Sequence, residues 1–255
     1  MSFRERGERG SSPSPDHKAP KLCKRPAGDV QITLRTSVRA RKTMKRRCSR
    51  MLLGPSLLLL LFARVVFSQP ISVDGVPFKG NKTARVTLIE FADYQCVFCA
   101  RFSHETLPQI ERDYVATGRV KFVFSNFPLE HSHPHAFKAA AAAHCAGEQD
   151  KFWEMHRRLF DLQDSRYFND WSHHAQMLAL DSTKFIQCLD SPTTASKVRN
   201  DLANGKSAGV KVTPTFFLGF TDSNVSQINA LQQIEGAKPY TTFKEALDGL
   251  LGTQR

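Results

Sequence analysis

The strand-like run Val86-Thr87-Leu88-Ile89-Glu90-Phe91, the polar turn Ala92-Asp93-Tyr94-Gln95 and the four residues Cys96-Val97-Phe98-Cys99 follow one another without a break. No other stretch constrains the fold as tightly. A short apolar, β-branched run with almost no polar alternation reads as a strand buried in a sheet. From Cys96 to about Thr117 the apolar positions Phe102, Leu107, Ile110 and Tyr114 recur at intervals of three to five, one inward-facing stripe of a helix. Gly118 is placed to end that helix, and Val120 to Phe127 is a second strand. Strand–helix–strand order implies a parallel pair with a right-handed crossover. The two cysteines therefore sit where a strand hands over to a helix.

That position matters to a thiol. The thiolate is the attacking species, and a free thiol with a pKa of roughly 8.5 is mostly protonated at neutral pH. A helix N-terminus aims backbone N–H groups and the positive end of the dipole at Cys96, and both lower its pKa. Two intervening residues bring Cys99 within reach of a mixed disulfide formed at Cys96. The apolar pair Val97 and Phe98 offers the thiolate no side-chain donor. Two alternatives stand beside a redox pair. One is half of a zinc site, but there is no second CxxC and no Cys/His pair at zinc-finger spacing, and His131, His133 and His135 merely alternate in a loop. The other is a structural bridge, which the strand-to-helix position disfavours. No metal and no other cofactor is expected.

The net charge of +12 suggests nucleic acid until it is located. Residues 1–50 hold 15 Lys or Arg against 4 Asp or Glu, so the remainder carries only +1. A globular part this neutral has no electrostatic footprint for nucleic acid. Residues 1–43 are polar, basic and broken by Pro and Gly, and read as a disordered leader or one that is not translated, with translation starting at Met44. Residues 44–68 have the layout of a secretory signal peptide: Met44-Lys45-Arg46-Arg47, the apolar run Met51 to Phe62, and small residues before a cut after Ala63 or Ser68. A retained signal anchor is the alternative. The run is well short of the roughly 20 residues of a membrane span, and Arg64 interrupts its continuation.

Of six cysteines, Cys23 and Cys48 lie in the leader, leaving Cys96, Cys99, Cys145 and Cys188. An even number in an exported chain fits disulfide chemistry. Beyond the second strand the chain reads as helical over residues 131–208: a helix from Pro134 through the Ala139–Ala143 run, then Phe152–Leu162, Trp171–Leu180, Thr183–Leu189 and Thr194–Ala208. Strands at Thr215–Leu218 and Gln227–Ile234 and a helix at Thr242–Leu251 complete the pattern. The order β-α-β, helical block, β-β-α is an α/β sheet with a helical insertion. Thr213-Pro214 reads as an ordinary proline before an edge strand or as a cis element. Glu90 is an exposed strand-end carboxylate or a buried acid of raised pKa. Asp93 reads as a turn residue.

Ile89 through Cys99 resembles the active-site segment of DsbA-like thioredoxin-fold thiol:disulfide oxidoreductases, in the branch of the bacterial protein BdbD. Phe122-Val123-Phe124 through Pro128-Leu129, Cys145 through Gln149 with Lys151-Phe152-Trp153, and Gly209 through Phe217 are similar too, so the resemblance runs from about Val86 to Leu251. Val97 departs from the proline of many relatives, which bears on redox potential rather than class. The resemblance implies one thioredoxin domain over 69–255, with the helical insertion between the β-α-β and β-β-α halves. It implies catalysis by Cys96 and Cys99, with Glu90 exchanging a proton with Cys99. It makes Thr213-Pro214 a cis element that pairs with substrate beside Val97 and Phe98, and Cys145–Cys188 a structural disulfide.

The function this implies is oxidation of exported proteins outside the cytoplasm by a monomeric enzyme that donates its Cys96–Cys99 disulfide. Its partners would be reduced or misfolded exported proteins and a membrane-bound reoxidant, DsbB-like or vitamin-K-reductase-like. An isomerase or reductase is the alternative enzymatic reading, although the roughly 17 residues between Gln69 and Val86 are too few for an added dimerisation domain. A holdase that grips unfolded chains on the apolar surface around Cys96 is a third.

Overall fold

The computed structural model describes residues 70–222 and 224–253, and the expected leader and signal peptide, 1–43 and 44–68, lie outside them. Two short strands, β1 (Ile71–Ser72) and β2 (Phe78–Lys79), precede β3 (Val86–Ala92). Helices α1 (Val97–Arg101) and α2 (Leu107–Ile110) follow, then β4 (Val120–Asn126). The insertion comprises α3 (Ala136–Gly147), α4 (Phe152–Asp161), α5 (Trp171–Met177), α6 (Ser182–Leu189) and α7 (Pro192–Ser207). Strands β5 (Thr215–Thr221) and β6 (Gln227–Glu235) and helix α8 (Tyr240–Gly252) close the chain.

All seven residues of β3 are buried, because it pairs on one side with β4 in parallel and on the other with β5 antiparallel. The sheet order is β1-β6-β5-β3-β4-β2. Alternation along the strands divides the core between two faces. Leu88, Phe122, Phe124, Phe216 and Leu218 pack with Phe102, the alanines of α3 and Phe243 of α8. Ile89, Phe91, Val123 and Phe217 form the other face with Val210 and Ile228. Helix α7 covers that second face closely. A Cβ on its Gly205 would lie 2.5 Å from the Phe127 ring and 2.9 Å from that of Phe91.

The helix expected from Cys96 to about Thr117 is present but not uniform. Residues Phe102–Thr106 and Glu111–Val115 are π-helical, with the Ala116 N–H reaching back to the Glu111 carbonyl. Pro108 supplies a physical reason for the first widening: its ring crowds the carbonyl four residues back and it brings no N–H. Gly118, at φ +74°, ends the helix, and the Arg119 N–H returns to the Tyr114 carbonyl. Side chains of Asp170, Asp181 and Ser191 cap α5, α6 and α7. The third helical stretch starts at Ala136 rather than Pro134, after a series of turns.

Candidate active site

Cys96 is the N-cap of α1, its backbone extended, so the first turn of the helix opens at its own side chain. The N–H groups of Cys99 and Ala100 both bond to the Cys96 carbonyl. The Cys96 thiol donates to the Thr213 carbonyl at 3.3 Å. That carbonyl belongs to the Thr213-Pro214 peptide, which is cis and precedes β5. One strand end and one loop thus converge on the first sulfur. Cys99 is wholly buried, and in this structure both cysteines are free thiols.

The two sulfurs are electrostatically unequal. The Cys96 pKa is lowered to about 6, chiefly by a hydrogen bond from the Cys99 thiol. Burial opposes this, while the Thr213 side chain and the N–H groups of Cys99 and Phe98 add to it. Cys99 is pushed well above the ordinary thiol range, first by burial, then by its bond to Cys96 and the negative charges of Cys96 and Glu90. The Asp93 backbone is a minor opposing influence.

Glu90 lies inside β3 rather than at its end, because the strand continues to Ala92 through pairing with Asn126. It stands opposite Phe124 on one side and Phe216 on the other, on the sheet face that α1 covers. Its carboxyl is buried and Oε1 has no hydrogen-bond partner. Burial, with the Cys96 charge, raises its pKa well above the usual carboxylate value.

Around the buried thiols the surface is apolar. Val97 and Phe98 are more than half exposed, and Val212 joins them from the cis loop. Beside Val97 a cavity of about 520 Å³ is walled by Ala100, His104, Phe160 and Asp161. Val212 escaped the sequence reading, although it directly precedes Thr213. Asp93 is a turn residue, but its side chain is enclosed and bonds to Leu129 and His133. Cys145 of α3 and Cys188 of α6 are bonded, with Cα atoms 5.7 Å apart.

A family model described as thioredoxin matches residues 72–248. Disulfide bond formation protein D of Bacillus subtilis is 31% identical over 160 residues, covering 60% of this chain and 71% of that protein. The chain belongs to the DsbA-like thioredoxin-fold family. The crystal structure of oxidised BdbD from Bacillus subtilis superposes with a TM-score of 0.62 at 26% identity, over 72% of this chain and 97% of that one. Wolbachia pipientis alpha-DsbA1, at 24% identity and TM-score 0.62, shares the fold over 94% of its length. This DsbA-like chain also matches the Na(+)/H(+) antiporter NhaA 3 of Salinispora tropica, 34% identical over 149 residues. It spans only 22% of that antiporter's length.

Proposed function

We propose that the protein is an extracytoplasmic thiol:disulfide oxidoreductase that works as an oxidase, donating its Cys96–Cys99 disulfide to reduced exported proteins. The observation that carries this reading is the inequality of the two sulfurs, with Cys96 acidified to about 6 and Cys99 pushed up. A substrate thiolate attacks Cys96 Sγ, forming a mixed disulfide and releasing Cys99, which takes up a proton. A second substrate thiol, losing its proton, attacks the substrate sulfur of that mixed disulfide and expels Cys96 as a thiolate. The substrate gains a disulfide, and the enzyme gains two electrons. A leaving thiol of low pKa departs faster, and stabilising the reduced form makes its disulfide a stronger oxidant.

Burial and the raised pKa of Glu90 support its holding the proton that Cys99 takes up. The Thr213 carbonyl is occupied by the Cys96 thiol only while that thiol keeps its proton, so ionisation or oxidation leaves it open to an extended substrate. Val97, Phe98 and Val212 supply an apolar surface for unfolded segments, which reduced or misfolded proteins expose. The basic and apolar sequence of residues 44–68 and the Cys145–Cys188 bridge support a place in an oxidising compartment. Among the described residues no helix is long and apolar enough to cross a membrane. Reoxidation would fall to a membrane-bound partner of the DsbB or vitamin-K-reductase type, with the enzyme a monomer that binds no nucleic acid.

The test is the equilibrium redox potential of Cys96–Cys99, titrated against glutathione. A value near about −120 mV is expected for an oxidase, whereas one near or below about −270 mV would mark a reductant.

A further inference from the structure

The turn that delivers Cys96 is tied to the helical insertion and its approach loop at each of three successive residues. The Asp93 carboxylate accepts from the Gln95 N–H at 2.7 Å, from the Leu129 N–H at 2.7 Å and from His133 Nδ1 at 2.9 Å. Gln95 Oε1 accepts the His135 N–H at 2.6 Å. Tyr94 bonds to His156 Nδ1 at 3.2 Å, and its carbonyl accepts from Gln163 Nε2 at 2.8 Å. Leu129, His133 and His135 lie between β4 and α3, and His156 and Gln163 lie in and just after α4.

We infer that Asp93 is a positioning residue for the reactive pair, fixing the turn on which Cys96 stands by binding it to the loop that opens the insertion. The inference rests on the reading of Cys96 as the sulfur that substrate attacks and that leaves as a thiolate. The backbone of Asp93 meets the reactive residue directly: its carbonyl accepts the Cys96 N–H at 3.1 Å. Its side chain is fully enclosed, and a carboxylate there only accepts, so His133 Nδ1 must carry the proton between them. Two of its three donors come from residues 36 and 40 positions away. Replacing the carboxylate by an amide sets an N–H₂ against donors and leaves a backbone N–H unpaired, which folded chains avoid. The turn then relaxes, and the N–H groups of the first turn of α1 no longer hold their places around the Cys96 sulfur.

Positioning and simple charge predict opposite signs. A negative charge near Cys96 opposes its thiolate, so deleting that charge alone would make the thiol more acidic. Loss of positioning makes it less acidic. The experiment measures the rate of Cys96 alkylation by iodoacetamide across pH in the full reduced chain, read on the Cys96 peptide by mass spectrometry. Thermal melts are recorded alongside. The midpoint is expected near 6 in the unaltered protein. In Asp93→Asn it should rise by about one unit, a roughly tenfold weaker acid. His133→Ala keeps the other two donors and should shift it the same way by about threefold in acidity. A midpoint unmoved or lowered in folded Asp93→Asn overturns the inference. Should that variant not fold, His133→Ala decides, and an unmoved midpoint there overturns it. An unaltered protein titrating near about 8.5 overturns the reading of Cys96 itself, and this inference with it.

Discussion

The two cysteine pairs in the described residues use the same side chain for opposite ends. Cys96 caps the start of α1, whereas Cys145 lies near the end of the twelve-residue α3 and Cys188 near the end of the eight-residue α6. At a helix start, backbone N–H groups have no intrahelical partner and can stabilise a thiolate. Late in a helix those groups are already bonded within it. The neighbour of the second pair is the Thr194 hydroxyl, 3.7 Å from Cys145 Sγ and 3.2 Å from Cys188 Sγ. Position in the element, more than residue type, separates a reactive thiol from an inert bridge. A redox pair also needs asymmetry, one sulfur that leaves readily and one that waits.

The largest effect comes from removing the reactive sulfur. Cys96→Ser should abolish oxidation of a dithiol peptide, by about 10⁴-fold or more, as loss of the residue that forms the covalent intermediate does. Persistence of function in that variant would favour a holdase. Cys99→Ser has no disulfide to donate, but given the oxidised peptide its Cys96 thiolate should attack the peptide disulfide, release one peptide thiolate and accumulate as a mixed disulfide, visible by mass spectrometry.

Removing the second pair should break stability and spare chemistry. The Cys145–Cys188 bridge closes a loop spanning 43 residues of separation. In the chain-entropy model that is worth about 4 kcal/mol, roughly a thousandfold in the folding equilibrium. A Cys145→Ala, Cys188→Ala double variant should show that loss in urea unfolding while the Cys96 titration stays near 6. A Cys96 midpoint that moved with the bridge would merge the two regions into one device.

What the sequence made legible follows the range over which each element is decided. The β3 run and the α1 stripe are local patterns, and both were readable. The two-residue strands β1 and β2 carry too few side chains for a period, and exist because β6 and β4 are there to pair with them. The β4–α3 loop has the sequence of a helix from Pro134, but Gln95 Oε1 takes the His135 N–H and holds that stretch as turn. Asp93 looks like an ordinary turn residue in sequence because its partners at Leu129 and His133 are distant along the chain. Glu90 was ambiguous for a similar reason. Whether a strand carboxylate is exposed depends on the helix laid across it.

The third prediction sets Glu90 against Cys96 by pH. Glu90 has a folded pKa raised above its ordinary value of 4.5, so the native state holds its proton more tightly than the unfolded chain. Its contribution to stability is fully present below about 4.5 and is lost as pH rises through the folded value. Cys96 in the reduced protein runs the other way. Its pKa falls from 9.0 to about 6, so its contribution grows as pH rises from 6 to 9. Glu90→Gln should therefore flatten the stability loss above pH 4.5 in the oxidised protein, where Cys96 does not titrate. The same variant should slow Cys99 release from the disulfide by about a hundredfold, the low end for general acid–base catalysis. An unchanged release rate with a flattened stability profile would leave Glu90 a buried acid without a chemical part.

The smallest effect tests the surface around the reactive pair. Val212 is 45% exposed beside the cis loop, so a docked substrate has about half of that side chain left to cover. Half of a valine is worth about 1 kcal/mol, or roughly fivefold in KM. Val212→Ser should raise KM for an unfolded dithiol substrate by that factor, leaving kcat and melting temperature unchanged. Met177, at the end of α5, is more exposed still, at 57%. It lies in the insertion, outside the Cys96 site, so Met177→Ser serves as the control and should alter neither constant. If Val212→Ser lowered kcat as well, the residue would be acting on its neighbour Thr213, whose carbonyl faces the Cys96 sulfur, rather than on substrate. The apolar rim would then be part of how the thiol is placed, and only Val97 and Phe98 would remain as surface offered to the incoming chain.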